Sequence, residues 1–310
     1  MIAFTKMHGI GNDYVYVDCF APAQMAALAG RDVPALARVM SDRHRGVGSD
    51  GLILITPPTR GVAADARMEM YNADGSRGEM CGNGIRCVAK YVIDHGIAGG
   101  AGGGHERTIR IETDRGVLTL VAYLENGKVA RVRVDMGGPI LEKQRIPVEL
   151  PRWHAGPIVR FPLNKYIPIG SGAWMEDCRV DLFMTCVSMG NPHLVIFCGE
   201  VASVPLETIG PFLERQPIFP NRINVHFVQC VSRREAIMRT WERGSGVTQA
   251  CGTGACAVLV AGVLEDRLDR AATLHLPGGD LEIEWAGTGV DGTVFMTGPA
   301  EEVFSGAWDG

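Results

Sequence analysis

The sequence predicts an α/β fold made of two related halves, because one local pattern occurs twice in the same order. The strand-like run "ARMEMYN" (66–72) leads to "MCGNGIRC" (80–87), and "AIMRTWE" (236–242) leads in the same way to "ACGTGACA" (250–257). The overlay needs no gap, since Asn72 precedes Cys81 by nine residues and Glu242 precedes Cys251 by nine. A second pair, "GIGNDYVYVD" (9–18) and "SMGNPHLVIF" (188–197), repeats Gly-Asn, one intervening residue and a strand-like run. Self-similarity of this kind implies a duplicated unit. With 310 residues, 46% of them hydrophobic, the chain is long enough for two domains that each bury a core.

Taken in order, the apolar run after Asn12 opens the first half as a strand. "VPALARVMSDRHR" (33–45) reads as a helix and "LILIT" (52–56) as the next strand. Between them, "GVGSDG" (46–51) fits Gly-x-Gly-x-x-Gly, but the dinucleotide fingerprint needs a strand before it and a helix after it. Here the order is reversed, so a nucleotide role is set aside. "ARMEMYN" alternates as a half-buried strand does. After Cys81, residues Ile85, Val88, Ala89, Val92 and Ile93 recur with the helical period, and Gly96 follows as a C′ residue. The tract "AGGAGGGH" (98–105) reads as a flexible loop tip, because strand-like "TIRIET" resumes at once. "VRVDMGGPI" ends a strand pattern in a Gly-Gly-Pro turn and suggests a boundary near 135. The Pro- and Gly-rich stretch 151–175 takes no assignment. In the second half, "ACAVLVAGVLED" after Cys251 is apolar on nearly every face, which suits a helix at the centre of a domain.

Composition removes several function classes. A net charge of −5, without any Lys/Arg-rich run, offers no electrostatic footprint for nucleic acid or an anionic membrane surface. The first residues, "MIAFTKMHGIGNDY", lack the basic, apolar and small-residue segments of an export signal, and no apolar run reaches spanning length, so a cytoplasmic protein with a small-molecule substrate is expected. The nine cysteines are odd in number, which argues against a disulfide framework; Cys19, Cys198 and Cys230, in apolar runs, read as small core residues. Cys81 and Cys87, and Cys251 and Cys256, lack the close Cys/His pairs of a zinc site, so no metal is expected. No Gly-x-Ser-x-Gly elbow is present.

The duplicated cysteine remains. A thiol just ahead of a helix faces unpaired N–H groups and the positive end of the helix dipole, which lowers its pKa toward a thiolate. The same N–H groups can hold a carboxylate, and the glycines allow backbone to approach it closely. A single copy could equally be a small residue at a tight strand-to-helix turn; two matched copies favour chemistry. Inversion at a carbon needs one group to take a proton from one face and another to return it on the opposite face, a task for a thiolate and a thiol. Without a cofactor as electron sink, the developing charge must rest on the substrate carboxylate, where helix N-termini act as an oxyanion hole.

These residues resemble the diaminopimelate epimerase family, and the likeness runs along nearly the whole chain: "KMHGIGNDYVYVD", "YNADGSRGEMCGNGIRC", "VSMGNPHLVIF", "RINVHFV", "WERGSGVTQACGTGACA" and "LPGGDLEIEW". The resemblance implies two pseudo-symmetric domains, each a mostly antiparallel sheet wrapped around a central helix, with the active site in the cleft between them. It places one domain at 1–135, with 297–310 returning to it, and the other at 136–296. It further implies cofactor-independent epimerisation of LL-diaminopimelate to the meso form, for lysine and peptidoglycan precursors, by a cytoplasmic homodimer. By motif, Cys81 and Cys251 become the acid/base pair, while Gly82, Asn83, Gly252 and Thr253 hold the reacting carboxylate. Asn12, Asn72, Asn191, Asn224 and Arg243 hold the distal end, Arg243 through its bidentate fork. Glu242 and His193 assist proton transfer at the cysteines, and Glu242 also meets the substrate. Asn12, Asn72 and Asn191 could otherwise be turn residues, His193 a core histidine and Glu242-Arg243 an exposed pair. The likeness departs at Gly51, where some members carry Gln, so one side-chain contact is missing or made by water or backbone. Two other readings stay open: a two-cysteine proline or hydroxyproline racemase, which would not need the equipment for a second charged end, and a thiol redox-regulated binding protein.

Overall fold

The computed structural model of the chain describes residues 1–78, 80–150, 156–169 and 172–310. It divides into two compact units, Met1–Asp135 with Thr297–Gly310, and Met136–Met296. Within the unassigned stretch 151–175, residues 151–155, 170 and 171 lie outside the described residues.

The first unit opens with β1 (Ile2–Gly9) and β2 (Asn12–Asp18), an antiparallel hairpin whose register ends at Gly9↔Asn12. Its two turn residues, Ile10 and Gly11, both have positive φ (49° and 83°). That geometry matches the right-handed twist of the strands, and it sets a buried β-branched residue in the left-handed region, a strained placement two residues before Asn12. α1 (Pro22–Leu28) and α2 (Val33–Ser41) follow. α2 starts where the Asp32 carboxylate accepts from Ala35 N–H (3.1 Å), and it ends sooner than the sequence pattern suggests. The Asp42 carboxylate accepts from the N–H groups of His44 (2.8 Å) and Arg45 (2.9 Å), a local turn that competes with the helix.

β3 (Gly51–Thr56) then runs parallel to β2, and β4 (Ala66–Asn72) antiparallel to β3. β5 (Arg77–Gly78) folds back on β4 before α3 (Gly82–Asp94). β6 (Glu106–Thr113) pairs parallel with β4 and continues through β7 (Gly116–Glu125) and β8 (Lys128–Asp135) as an antiparallel meander. α3 touches β1, β2, β4, β6, β7 and β8, so the sheet wraps around it. Its inward face is the periodic one read from sequence: Ile85, Val88, Ala89 and Val92 are buried. The C-terminal strand Glu301–Trp308 covers the free side of β1, from Ile2↔Trp308 to His8↔Glu301.

In the second unit, β9 (Phe161–Pro162), α4 (Leu163–Tyr166) and α5 (Ala173–Asp177) precede β10 (Phe183–Ser188) and β11 (Pro192–Phe197). α6 (Leu206–Glu214), β12 (Asn224–Ser232), β13 (Glu235–Glu242), β14 (Gly246–Thr248), α7 (Gly252–Leu264), β15 (Ala271–Leu276) and β16 (Gly279–Trp285) complete it. β17 (Val294–Pro299) carries the chain back, and the C-terminal strand is β18. The pairings repeat those of the first unit: β10–β11 antiparallel, β11–β12 parallel, β12–β13 antiparallel, β13–β15 parallel and β15–β16 antiparallel. α7 takes the place of α3. Every residue from Gly254 to Gly262 on it is buried, as its all-round apolar sequence requires. The α/β class, with a mostly antiparallel sheet around a central helix, is therefore the observed one.

Register makes the duplication residue-specific. Ile53↔Met70 in β3–β4 corresponds to His226↔Thr240 in β12–β13. Val15↔Leu52 in β2–β3 corresponds to Leu194↔Val225 in β11–β12. Asn12 and Asn191 are thus counterparts, as are Tyr14 and His193.

Candidate active site

Each special cysteine is the N-cap of its unit's central helix. Cys81 has φ −130° and ψ 118°, and Cys251 φ −131° and ψ 97°, extended conformations that end a strand-to-helix turn. Their carbonyls accept the first helical bonds, from Ile85 and Ala255 N–H (both 2.9 Å). In α3 the sulfur itself caps the helix, accepting from Gly84 N–H at 3.4 Å.

Around Cys81 the polar groups form one network. The thiol donates to Asn12 Oδ1 (3.4 Å), and Asn83 Nδ2 donates to the same oxygen (3.3 Å). Asn12 is turned this way by Asp50, whose Oδ2 accepts from Asn12 Nδ2 (2.7 Å) and from Asp13 N–H (3.0 Å). Arg43 bridges Asp50 (2.9 Å) and Asp13 (2.7 Å), and Lys6 pairs with Asp13. Although burial works against it, the hydrogen bonds and charges of Arg43 and Lys6 hold the Asp13 carboxyl below the usual range. Asn83 is fixed from behind by buried Arg86, which donates to Asn83 Oδ1 (2.9 Å) and to the Gly82 carbonyl (3.2 Å). The Tyr14 hydroxyl near Cys81 lowers that thiol in part. Gly51 leaves room for that ring: a Cβ there would lie 2.9 Å from Tyr14 Cε1 and would collide with the Tyr71 carbonyl. A side chain at 51 is therefore incompatible with this local packing of β3 on β4.

Around Cys251 the composition differs. Its sulfur lies 3.9 Å from Thr253 Oγ1 and feels the Glu242 charge, and Glu242 accepts from Thr248 Oγ1 (2.6 Å). Asn224 Oδ1 accepts from Arg243 N–H (2.9 Å), its Nδ2 donates to the Pro192 carbonyl (2.9 Å), and Arg243 Nη1 donates to the Asn221 carbonyl (2.8 Å). His193 bonds through Nε2 to Asn191 Oδ1 and through Nδ1 to His226 Nε2, both at 2.9 Å, and His226 Nδ1 meets Thr240 Oγ1 at 2.9 Å. Gly254 brings this ring against the helix: a Cβ there would meet His226 Cε1 and would lie 2.9 Å from Cys251 Sγ.

The electrostatics correct one expectation. The sequence predicts thiols lowered by the helix N-termini, yet both are raised. Burial pushes Cys81 up, and the N–H groups of Gly84 and Asn83, with Tyr14 and Arg86, only partly oppose it. Cys251 is driven well above its ordinary value, first by burial and then by the Glu242 charge. Helix-end donors favour the thiolate, but desolvation of the sulfur outweighs them. Burial likewise keeps His193 well below the ordinary histidine range and puts His226 at about 3, so both rings are neutral.

A family model described as diaminopimelate epimerase matches residues 4–142 and 185–303. The chain belongs to the diaminopimelate epimerase family. Membership makes it an isomerase. A diaminopimelate epimerase from Agathobacter rectalis is 48% identical over 99% of this chain and 99% of its own length. Another, from Moorella thermoacetica, is 46% identical over 98% of both. Among solved structures, a probable proline racemase from Agrobacterium radiobacter K84 superposes with TM-score 0.65 at 16% identity, covering 100% of this chain and 93% of that one. A hydroxyproline epimerase from Agrobacterium vitis gives TM-score 0.60 at 14% identity, covering 98% and 90%. At such identity these two show the fold alone.

Within the first unit the structure brings Cys81, Asn83 and Asn12 together; Asn12, expected at the distal end of a substrate, stands at the Cys81 thiol. Asn72 is instead held at the end of β4, its Nδ2 donating to Ser76 Oγ (2.9 Å). In the second unit Cys251, Thr253 and Glu242 cluster, Asn224 touches Arg243, and Asn191 touches His193. Gly82 and Gly252 open their helices. Sequence reading missed Asp50, Asp13, Arg43, Tyr14, His226 and Thr240. Asp50 lies inside the Gly-x-Gly-x-x-Gly match, and Asp13, Tyr14 and His226 lie inside the family-like runs "KMHGIGNDYVYVD" and "RINVHFV" without a role read for them. Among the described residues no group of three or more His, Cys, Asp or Glu is placed to hold a metal ion, and no helix is long and apolar enough to cross a membrane. None of the nine cysteines forms a disulfide.

Proposed function

We propose that the chain epimerises LL-diaminopimelate to meso-diaminopimelate without pyridoxal phosphate or any other cofactor, using Cys81 and Cys251 as the acid/base pair. The observation that carries this reading is the matched placement of the two sulfurs: each is the N-cap of a buried central helix, in a chain of this family. One sulfur, as thiolate, takes the α-hydrogen; the other, as thiol, returns a proton on the opposite face, and the roles exchange for the reverse reaction. Turnover needs one of these raised thiols held as thiolate, the state that the helix N-terminal N–H groups favour. Glu242 beside Cys251 adds its charge to burial in holding that thiol protonated.

Gly82, Asn83, Gly252 and Thr253 supply the helix-end donors for the reacting carboxylate. Asn72, Asn191, Asn224 and Arg243 hold the distal end, while Asn12 orients the Cys81 thiol. His193 and Glu242 tune their surroundings. The enzyme works as a cytoplasmic homodimer supplying lysine and peptidoglycan precursors.

Chiral chromatography of LL-diaminopimelate after incubation with reduced protein tests the reading, with formation of the meso isomer expected. The fold shared with a proline racemase and a hydroxyproline epimerase keeps one other reading in view. Turnover of proline or hydroxyproline with none of diaminopimelate would select it.

A further inference from the structure

The two counterpart asparagines, Asn12 and Asn191, are held in opposite senses. Asp50 Oδ2 accepts a backbone N–H as well as Asn12 Nδ2, so the Asn12 amide nitrogen is tied back and its oxygen is presented, to Cys81 and Asn83. At Asn191 it is the oxygen that is tied back, by His193 Nε2 (2.9 Å). What fixes that sense lies three side chains away.

The chain Asn191–His193–His226–Thr240 could in principle run with its donors pointing either way, since a neutral imidazole has one N–H and one bare nitrogen. Thr240 breaks the tie. It is buried, and among the described residues its hydroxyl has one partner, His226 Nδ1 (2.9 Å). Were the hydroxyl to accept there, its own hydrogen would be left unsatisfied in the interior. Thr240 therefore donates to His226 Nδ1. His226 must then carry its proton on Nε2 and donate to His193 Nδ1. His193 in turn donates from Nε2 to Asn191 Oδ1. The Asn191 amide nitrogen is left with no partner among the described residues, on a residue that is partly exposed. The first unit has Tyr14, Ile53 and Met70 at the corresponding positions, so no such relay exists there.

Building on the epimerase reading, we propose that His226 and Thr240 are positioning residues whose one-way hydrogen-bond relay through His193 makes Asn191 present two N–H donors, and so an anionic oxygen site, to the distal carboxylate of the substrate. Neither residue touches the reacting atoms. Both act through the tautomer of His193.

Nitrogen-15 NMR of histidine-labelled wild-type protein at neutral pH, assigned with His226→Gln, reads the relay directly. Protons on Nε2 of both His193 and His226, with bare Nδ1 atoms, are expected; a proton on Nδ1 of either ring would overturn the proposal. Kinetics of Thr240→Val and Thr240→Ser give a second readout. Losing the donor should raise KM for diaminopimelate about tenfold with kcat within about twofold, since the affected contact is uniform binding, and Ser should restore it. An unchanged KM in Thr240→Val, or a Ser variant no better than Val, contradicts the proposal. Should the wild-type protein fail to turn over diaminopimelate, the epimerase reading falls, while the ring-nitrogen signals still decide whether the relay runs this way.

Discussion

Small differences in what surrounds a side chain decide its chemistry here. Cys81 and Cys251 share backbone geometry, yet the Glu242 charge beside Cys251 raises that thiol beyond what burial does. Replacing Glu242 by Gln removes that charge, so the Cys251 pKa should fall and its alkylation by iodoacetamide at fixed pH should quicken, measured by mass spectrometry against Cys81 in the same sample. Slower or unchanged alkylation would mean that Glu242 does not govern this thiol. His226 gives a stability signature. Its folded pKa of about 3 lies below the ordinary value, so its contribution is complete above about pH 6.5 and is lost as pH falls toward 3. Between pH 7 and pH 5 this one ring should remove about 2 kcal/mol of unfolding free energy. Urea unfolding at the two pH values should show that loss in the wild type and a smaller one in His226→Gln; equal losses would contradict it. The cysteines, Asn83, Thr253 and Glu242 were legible in the sequence because they lie within one local motif. Asp50, His226 and Thr240 were not, because strand register between separate segments brings them to the site, and no local spacing encodes that register.

Among the elements, the two central helices explain why glycine follows each cysteine at the third position. In α3, a Cβ at Gly84 would lie 2.8 Å from Ile53 Cδ1, the end of a flexible side chain. In α7, a Cβ at Gly254 would strike the His226 ring and sit 2.9 Å from the Cys251 sulfur. Both of those neighbours are fixed, one in the relay and one at the helix cap. Gly254→Ala should therefore destabilise the protein by roughly 1–3 kcal/mol, as overpacking does, and should abolish turnover more completely than Gly84→Ala. Thermal unfolding and turnover of the two variants check this; an active, fully stable Gly254→Ala protein would contradict the packing described. The existence of both helices was readable from period and apolarity. The early end of α2 was not, because the Asp42 side chain competes for the backbone in a way that hydrophobic period does not register.

At the scale of the whole molecule, the chain is a duplicated α/β unit that has kept its framework and varied its site. Strand pairing, the turn before each central helix and the N-cap sulfur are common to both copies. Tyr14 against His193, Ile53 against His226 and Met70 against Thr240 are where they diverge. The repeat made this architecture legible from sequence, since motif spacing survives divergence that side-chain identity does not. Epimerisation is the chemistry that gives both copies of the sulfur a use, and it predicts that neither suffices alone. Proton NMR of LL-diaminopimelate in deuterated buffer, with reduced wild-type protein, Cys81→Ala and Cys251→Ala, tests this most directly. The account expects one α-hydrogen to exchange as the meso isomer forms in the wild type, and the rate to fall by at least about 10³-fold in each variant. Full epimerisation by either single variant, or no exchange in the wild type, would contradict it.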